Sequence, residues 1–270
     1  MKYSLLFLLY LLLFNFSAKA ANDNYPFGGR PASMANSTVA VYDFWGLSFN
    51  QAAIARQTGL TAGFYFENRF LTKEMSLGAF GFSMPAGGGV MGVSATFFGY
   101  SLYHESKIGL AYARKLSDKI SIGVQLNYLY ASISGYGNKG SIAGELGMIY
   151  ELLPGLNLGA HIYNPTRTKV ASYNNERIPT VIKLGMAYSF SDRVLVSLEA
   201  EKDIVENPII KAGIEYGLTE SIYVRGGIGT NPTLNSLGVG FYFGSLKFDI
   251  SSSFHYLLGY SPQASFVYQF

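Results

Sequence analysis

Ile120-Ser121-Ile122-Gly123-Val124-Gln125-Leu126-Asn127-Tyr128-Leu129-Tyr130 is the stretch whose reading decides the fold. In an extended chain Ile122, Val124, Leu126, Tyr128 and Tyr130 share one face, and Ser121, Gly123, Gln125 and Asn127 share the other. The period recurs. Ile182, Leu184, Met186, Tyr188 and Phe190 oppose Lys183, Gly185, Ala187 and Ser189, and Ile210, Ala212, Ile214 and Tyr216 oppose Lys211, Gly213 and Glu215. Leu246, Phe248 and Ile250 oppose Lys247, Asp249, Ser251, Ser253 and His255. The chain is 49% hydrophobic and 16% aromatic, yet beyond residue 20 no apolar run approaches the length of a membrane helix. Apolar residues interleaved with polar ones suit a wall with lipid on one side and a lumen on the other. From Leu60 to Phe270 such segments number about 14, with 12 as the fallback. The expected fold is therefore all-β, a transmembrane antiparallel β-barrel.

Both ends of the chain agree. Phe266, Tyr268 and Phe270 fall at i, i+2 and i+4, so three aromatic rings share one face of a final strand. An exposed aromatic row beside an open strand edge invites aggregation in a soluble protein. In a barrel it is expected at the closing seam, where it serves as a signal to the barrel-assembly machinery. At the other end, Met1-Lys2, the apolar run Leu5 to Phe14 and Ser17-Ala18-Lys19-Ala20 read as a signal peptide cleaved after Ala20. This predicts export to the outer membrane of a Gram-negative bacterium. There are no cysteines, so disulfides, thiol catalysis and cysteine-based metal sites are excluded.

The connections alternate in kind. Leu116-Ser117-Asp118, Leu153-Pro154-Gly155, Ser191-Asp192-Arg193, Thr219-Glu220-Ser221 and Gly244-Ser245 read as tight turns. Between them lie longer polar stretches near Gly99 to Ser106, Ser134 to Ser141, Asn164 to Thr180, Asp203 to Pro208, Gly229 to Asn235 and Leu257 to Pro262. Transmembrane barrels have short periplasmic turns and long outer loops. The Asn164 to Thr180 stretch is then the longest external loop. Its Arg167, Lys169, Tyr173, Glu176 and Arg177 make the best docking surface for a protein partner. The hairpins through Lys73 and Gly87-Gly88-Gly89 fit this scheme least well.

Residues 21–59 differ in kind. Asn24, Gly28, Gly29 and Pro31 suggest irregular backbone, and Asn50 to Arg56 suggests one or two helical turns capped by Asn50. The lone Trp45 stands beside Phe44 and Phe49. A segment this apolar without regular pairing needs a surface to pack on, and the expected one is the lumen. The division is thus 1–20 signal peptide, 21–59 plug or hatch, and 60–270 barrel.

By alternation, Glu67 and Arg69 point inward on the first strand and Glu145 on the sixth. Lys183, then Glu199 with Glu201, then Lys211 with Glu215, then Arg225 do so on four consecutive strands. A basic residue facing lipid near the midplane would cost about 2–4 kcal/mol. Such a row can line an aqueous path, hold a plug, or simply stiffen the wall. Tyr65, Tyr223 and Tyr242 are expected to line the lumen. His104, His161 and His255 show no metal-ligand spacing. Ser251, Ser253, His255 and Asp249 lie on one strand face, too spread out for a triad. Gly87-Gly88-Gly89 lacks the Lys and helix of a phosphate loop. Neither an enzyme nor a cofactor is expected. A net charge of +3 without a basic block makes nucleic acid an improbable partner.

Gly29-Arg30-Pro31-Ala32-Ser33-Met34-Ala35-Asn36, Val39-Ala40 and Trp45-Gly46-Leu47-Ser48-Phe49-Asn50-Gln51-Ala52-Ala53 resemble the start of a group of outer-membrane barrels. These are the FadL-like long-chain fatty-acid transporters and the PorV/PorQ-type barrels of the Bacteroidota. Asn50-Gln51-Ala52-Ala53 departs from the group's Asn-Pro-Ala-Gly-like stretch. The resemblance implies a 14-stranded barrel with an N-terminal hatch. It also implies passive translocation of a small hydrophobic compound or, because the group includes secretion-machinery parts, a scaffold that binds a protein partner.

Overall fold

Alternation along the strands becomes an inside and an outside once the sheet closes. A computed structural model describes residues 25–168, 177–204 and 206–270. Its strands are β1 (Thr61–Asn68), β2 (Ser76–Ala86), β3 (Gly89–Gly99), β4 (Tyr103–Lys115), β5 (Ile120–Ile133), β6 (Gly137–Leu153) and β7 (Leu156–Tyr163). They continue as β8 (Val181–Ser191), β9 (Val194–Asp203), β10 (Ile209–Gly217), β11 (Ile222–Gly229), β12 (Leu234–Phe243), β13 (Leu246–His255) and β14 (Gly259–Gln269). Each pairs antiparallel with its sequence neighbours, and β1 pairs with β14 to close the barrel. Closure leaves no free edge, the condition for a sheet in lipid. Among the described residues no helix is long and apolar enough to cross a membrane.

On β5, Val124 and Leu126 are 45% and 58% exposed, whereas Gln125 and Asn127 are buried. Inside is polar and outside apolar, the reverse of a soluble barrel. Phe266, Tyr268 and Phe270 stand on the outer face, and Phe266 lies opposite Phe64 across the seam. Such a surface is stable only against hydrocarbon, so the barrel spans a membrane. Leu126→Arg, near the middle of β5, is expected to cost about 2–4 kcal/mol. Urea titration in lipid vesicles measures it, with Leu126→Ile as the control.

The two doubtful hairpins fall into line. The connection carrying Lys73 lies at the loop end and holds two short 3-10 turns, η3 (Arg69–Leu71) and η4 (Lys73–Met75). Gly87 and Gly88 both take positive φ (59° and 76°) and make a two-residue turn at the opposite end. Left-handed backbone at both central positions matches the strand twist, and glycine adopts it without strain. The outer loops are shorter than expected. Strand pairing continues to Tyr103, Ile133, Gly137, His255 and Gly259, so residues 100–102, 134–136 and 256–258 are all that remain as loops. β6 takes in most of the Ser134 to Ser141 stretch expected as loop. The long connection is 164–180.

Residues 25–56 lie within the barrel as α1 (Gly29–Ser33), the 3-10 segments η1 (Phe44–Ser48) and η2 (Gln51–Arg56), and irregular chain between. Asp43 caps η1 by accepting from Trp45 N–H, and Asn50 caps η2 by accepting from Ala52 N–H. Phe27, Trp45, Leu47, Phe49 and Ile54 are fully buried. The wall makes room with glycine. A Cβ on Gly227 would lie 2.2 Å from the Met34 carbonyl carbon, and one on Gly159 would lie 2.3 Å from the Val39 oxygen. Gly238 meets Ser33 in the same way, but Gly226 touches Leu237 and Ile214 instead of the inserted segment.

Candidate functional site

Two materials line the lumen. On the β14-to-β4 side the lining is mostly apolar or uncharged, with Glu67 of β1 and Glu105 of β4 as its buried carboxylates among the described residues. Tyr65, Leu77, Ala79, Val90, Phe98 and Val267 pack with Phe27, Phe44, Trp45 and Leu47 of the inserted segment. Trp45 meets Phe27, Phe44 and Tyr65 edge-on at 5.8, 4.9 and 6.4 Å between centroids. Toward the loop end this seam continues through Tyr25, which lies 4.8 Å from Phe98, with Met75 and Tyr103 alongside. The space left between Tyr25, Phe98 and their neighbours is about 10 Å3, room for one water at most. At this end the seam is therefore packed, not open.

From β4 round to β13 the lining is a belt of buried charge. Lys107 stands 3.8 Å from Glu145, and His161 Nε2 lies 2.9 Å from the same carboxylate. Lys183 pairs with Glu201 at 3.5 Å, and Lys211 with Glu199 and Glu201 at 3.2 and 2.5 Å. Arg225 joins Glu215 at 2.5 Å to Asp249 at 2.6 Å. Strand pairing explains the alternation of sign, since Lys183 lies opposite Glu201, Lys211 opposite Glu199, and Glu215 opposite Arg225.

The carboxylates of this belt also hold the inserted segment. Gln51 Nε2 donates to Glu145 at 2.8 Å. The N–H groups of Thr38 and Val39 donate to Glu199 Oε2 at 3.0 and 2.9 Å. Arg30 grips Glu215 through two nitrogens at 2.8 and 2.6 Å, and Asp43 at 3.1 Å. Gly29 N–H donates to Ser265, whose hydroxyl donates to Asp249. Charge-assisted bonds of this kind are roughly twice as strong as neutral ones. Burial opposes the charge on Arg30, but the nearby carboxylates, Glu215 foremost, outweigh it and hold its pKa above the ordinary value.

Some expected site residues lie elsewhere. Arg69 is not on β1, because the strand ends at Asn68 and Arg69 opens η3. It still pairs with Glu67 at 3.3 Å and stacks over Tyr25 at 4.1 Å. Tyr65 does not join Tyr223 and Tyr242. It donates to Glu67 inside the apolar seam, whereas the other two stack 4.7 Å apart at the tight-turn end. Ser251 and Ser253 bond Gln263, and His255 Nδ1 accepts from Leu257 and Leu258 N–H. Lys169, Tyr173, Glu176 and residues 1–24 lie outside the described residues. The base of the long loop turns inward. Asn164 bonds Ile178 and Thr168, and Ile178 is buried with Tyr163 and Leu129. Arg177 donates to the Arg167 carbonyl. Arg30, Asp43, Gln51, Lys107 and Asp249 belong to the network although the charge pattern did not mark them. Strand alternation alone was enough to place Lys107 and Asp249 inside.

Solved structures with the same architecture are membrane channels. One is the CymD monoaromatic hydrocarbon channel, 15% identical, with a TM-score of 0.68, covering 93% of this chain and 99% of its own. Another is the Ralstonia pickettii toluene transporter TbuX, 14% identical, with a TM-score of 0.71 and coverages of 90% and 98%. The chain shares their fold. A Pseudomonas aeruginosa FadL homologue is similar over 90% of this chain and 97% of its own, at 13% identity and a TM-score of 0.58. No protein-family model and no curated protein sequence matches the chain. Barrels of this class are outer-membrane structures.

Proposed function

We propose that this barrel carries small hydrophobic compounds passively across the outer membrane, with residues 21–59 acting as a plug. The observation that carries the reading is the division of the lumen. Most of the buried charge is gathered on β4 to β13, where it anchors the inserted segment, and this leaves a largely apolar seam from Tyr25 and Phe98 to Trp45 and Tyr65, interrupted at the loop end by the Glu67–Arg69 pair. An ion would find every buried carboxylate of the belt already paired. An apolar solute would find a surface matching its own. Because the seam is packed at its loop end, passage requires the Trp45 region to move or the wall to part. The channels with the same fold are described as acting on toluene and monoaromatic hydrocarbons, which suits this reading. The signal peptide ending at Ala20 would direct export, and Phe266, Tyr268 and Phe270 would present the last strand to the assembly machinery.

The filled lumen favours a second reading, a scaffold related to the PorV/PorQ-type barrels that holds a protein partner by the loop with Arg167 and Arg177. Uptake separates the two. Gram-negative cells producing the protein should take up a labelled monoaromatic hydrocarbon several-fold faster than cells without it, with no gain for a sugar of similar size. The chain has no cysteine, so Met34→Cys with Gly213→Cys can tie the plug to β10. A Cβ at Gly213 would stand 2.9 Å from Met34 Cβ, shorter than the separation of about 3.5–4.5 Å in a disulfide, so the bond forms only if the plug gives by roughly half an ångström. Oxidation should slow uptake and reduction restore it if the plug moves. Hydrocarbon uptake unaffected by the protein's presence would leave the scaffold.

A further inference from the structure

The tight-turn end of the lumen holds a cavity of about 500 Å3, roofed by Arg30 and walled by the lower ends of β8 to β13. This lies within the range of about 300–1,000 Å3 typical of small-molecule sites. Its polar groups divide into two sets. In the roof, beside Arg30, Glu215 is saturated, accepting from Arg30 twice and from Arg225 once. Tyr242 already accepts from Arg225 at 2.7 Å, so its hydroxyl proton remains to be donated.

The second set is uncommitted, and nearly all of it donates. Among the described residues Arg193 and Lys247 have no carboxylate partner, and the Tyr223 hydroxyl has no hydrogen-bond partner. Lys247 instead sits over the Tyr242 ring at 5.2 Å. The carboxylate of Asp192, on the exposed turn, is one charge against two. The Tyr223 and Tyr242 rings, 4.7 Å apart and inclined at 37°, form an aromatic wall of the same cavity. Cations and phenol donors need an acceptor, and an aromatic wall needs a flat apolar body.

We propose that this cavity is a binding site for a small organic anion with a planar body, such as an aromatic carboxylate. The carboxylate meets Arg193, Lys247 and the Tyr223 hydroxyl, and the ring lies against Tyr223 and Tyr242. The site is separate from the apolar seam, on the β8-to-β13 side of the lumen.

Calorimetric titration of the purified protein in detergent, at one fixed ionic strength, tests this without any flux measurement, so its outcome does not depend on translocation. The probes are benzoate, benzyl alcohol (ring without charge) and acetate (charge without ring). Benzoate should bind, and the other two should bind roughly tenfold more weakly or not at all. Arg193→Gln with Lys247→Gln should weaken benzoate roughly tenfold. Both positions are exposed, so the melting temperature should hold. Tyr223→Phe, which keeps the ring and removes the donor, should give a smaller loss. The proposal is overturned if benzoate fails to bind, if acetate matches it, or if the double variant binds it as the parent does.

Discussion

Gly227→Val is expected to turn the closed barrel into an ion-conducting one. Gly227 lies on the inner face of β11, where even a Cβ would fall 2.2 Å from the Met34 carbonyl carbon and 2.5 Å from the Ala35 nitrogen. Those are backbone atoms of the inserted segment and cannot rotate aside. The β11 backbone is held by pairing with β10 and β12, so the inserted segment must yield. Its retreat pulls on Arg30 and on the Thr38 and Val39 N–H groups at Glu199. Gly159→Val acts at a second point of contact, against the Val39 oxygen at 2.3 Å. Planar-bilayer recording should show small, brief openings for the parent and large, long-lived ones for both variants. Gly226→Val, on the outer face, serves as the control. Heat-modifiable migration on electrophoresis should confirm that the barrels remain folded. Parent-like conductance in folded Gly227→Val and Gly159→Val barrels would mean that residues 25–56 are not what closes the lumen.

Glu215→Leu should produce the largest loss of stability. One carboxylate serves two guanidinium groups, Arg30 from the inserted segment and Arg225 from β11. Removing one partner of a buried ion pair costs about 3–5 kcal/mol, because the remaining charge is left in a poorly solvating place. Arg225 would keep Asp249, and Arg30 would keep Asp43. Glu215→Leu combined with Arg30→Leu should therefore recover part of the loss, since it removes the guanidinium with the longer reach to its remaining partners. Denaturant midpoints in detergent for parent, single and double variants measure the coupling. A Glu215→Leu barrel as stable as the parent would show that this network does not fasten the plug.

How far the fold can be read from the chain varies with the range of the interaction. Period two is a local property, so Ile122, Val124 and Leu126 declare an outer face with no knowledge of what lies beside them. The strand count followed from the same rule. Hairpins were less legible. The Ser134 to Ser141 stretch is polar and reads as loop, yet β5 and β6 continue their pairing beyond Tyr130 and into it. Polar residues can extend a strand above the membrane when a partner strand is already in register. Arg69 falls one residue beyond the end of β1, because alternation carries no mark of where a strand stops.

By itself, then, the chain determined that there is a barrel, which face of each strand meets lipid, and that a foreign-looking segment precedes β1. It could not say that Arg30 would find Glu215, 185 residues away. Nor could it say that Arg193 in one turn and Lys247 on another strand would border a common cavity. Side-chain direction is set by neighbours along the chain, but partnership across a lumen is set by closure and by the path of the inserted segment. Those depend on many distant contacts forming together, and no short stretch of residues encodes them.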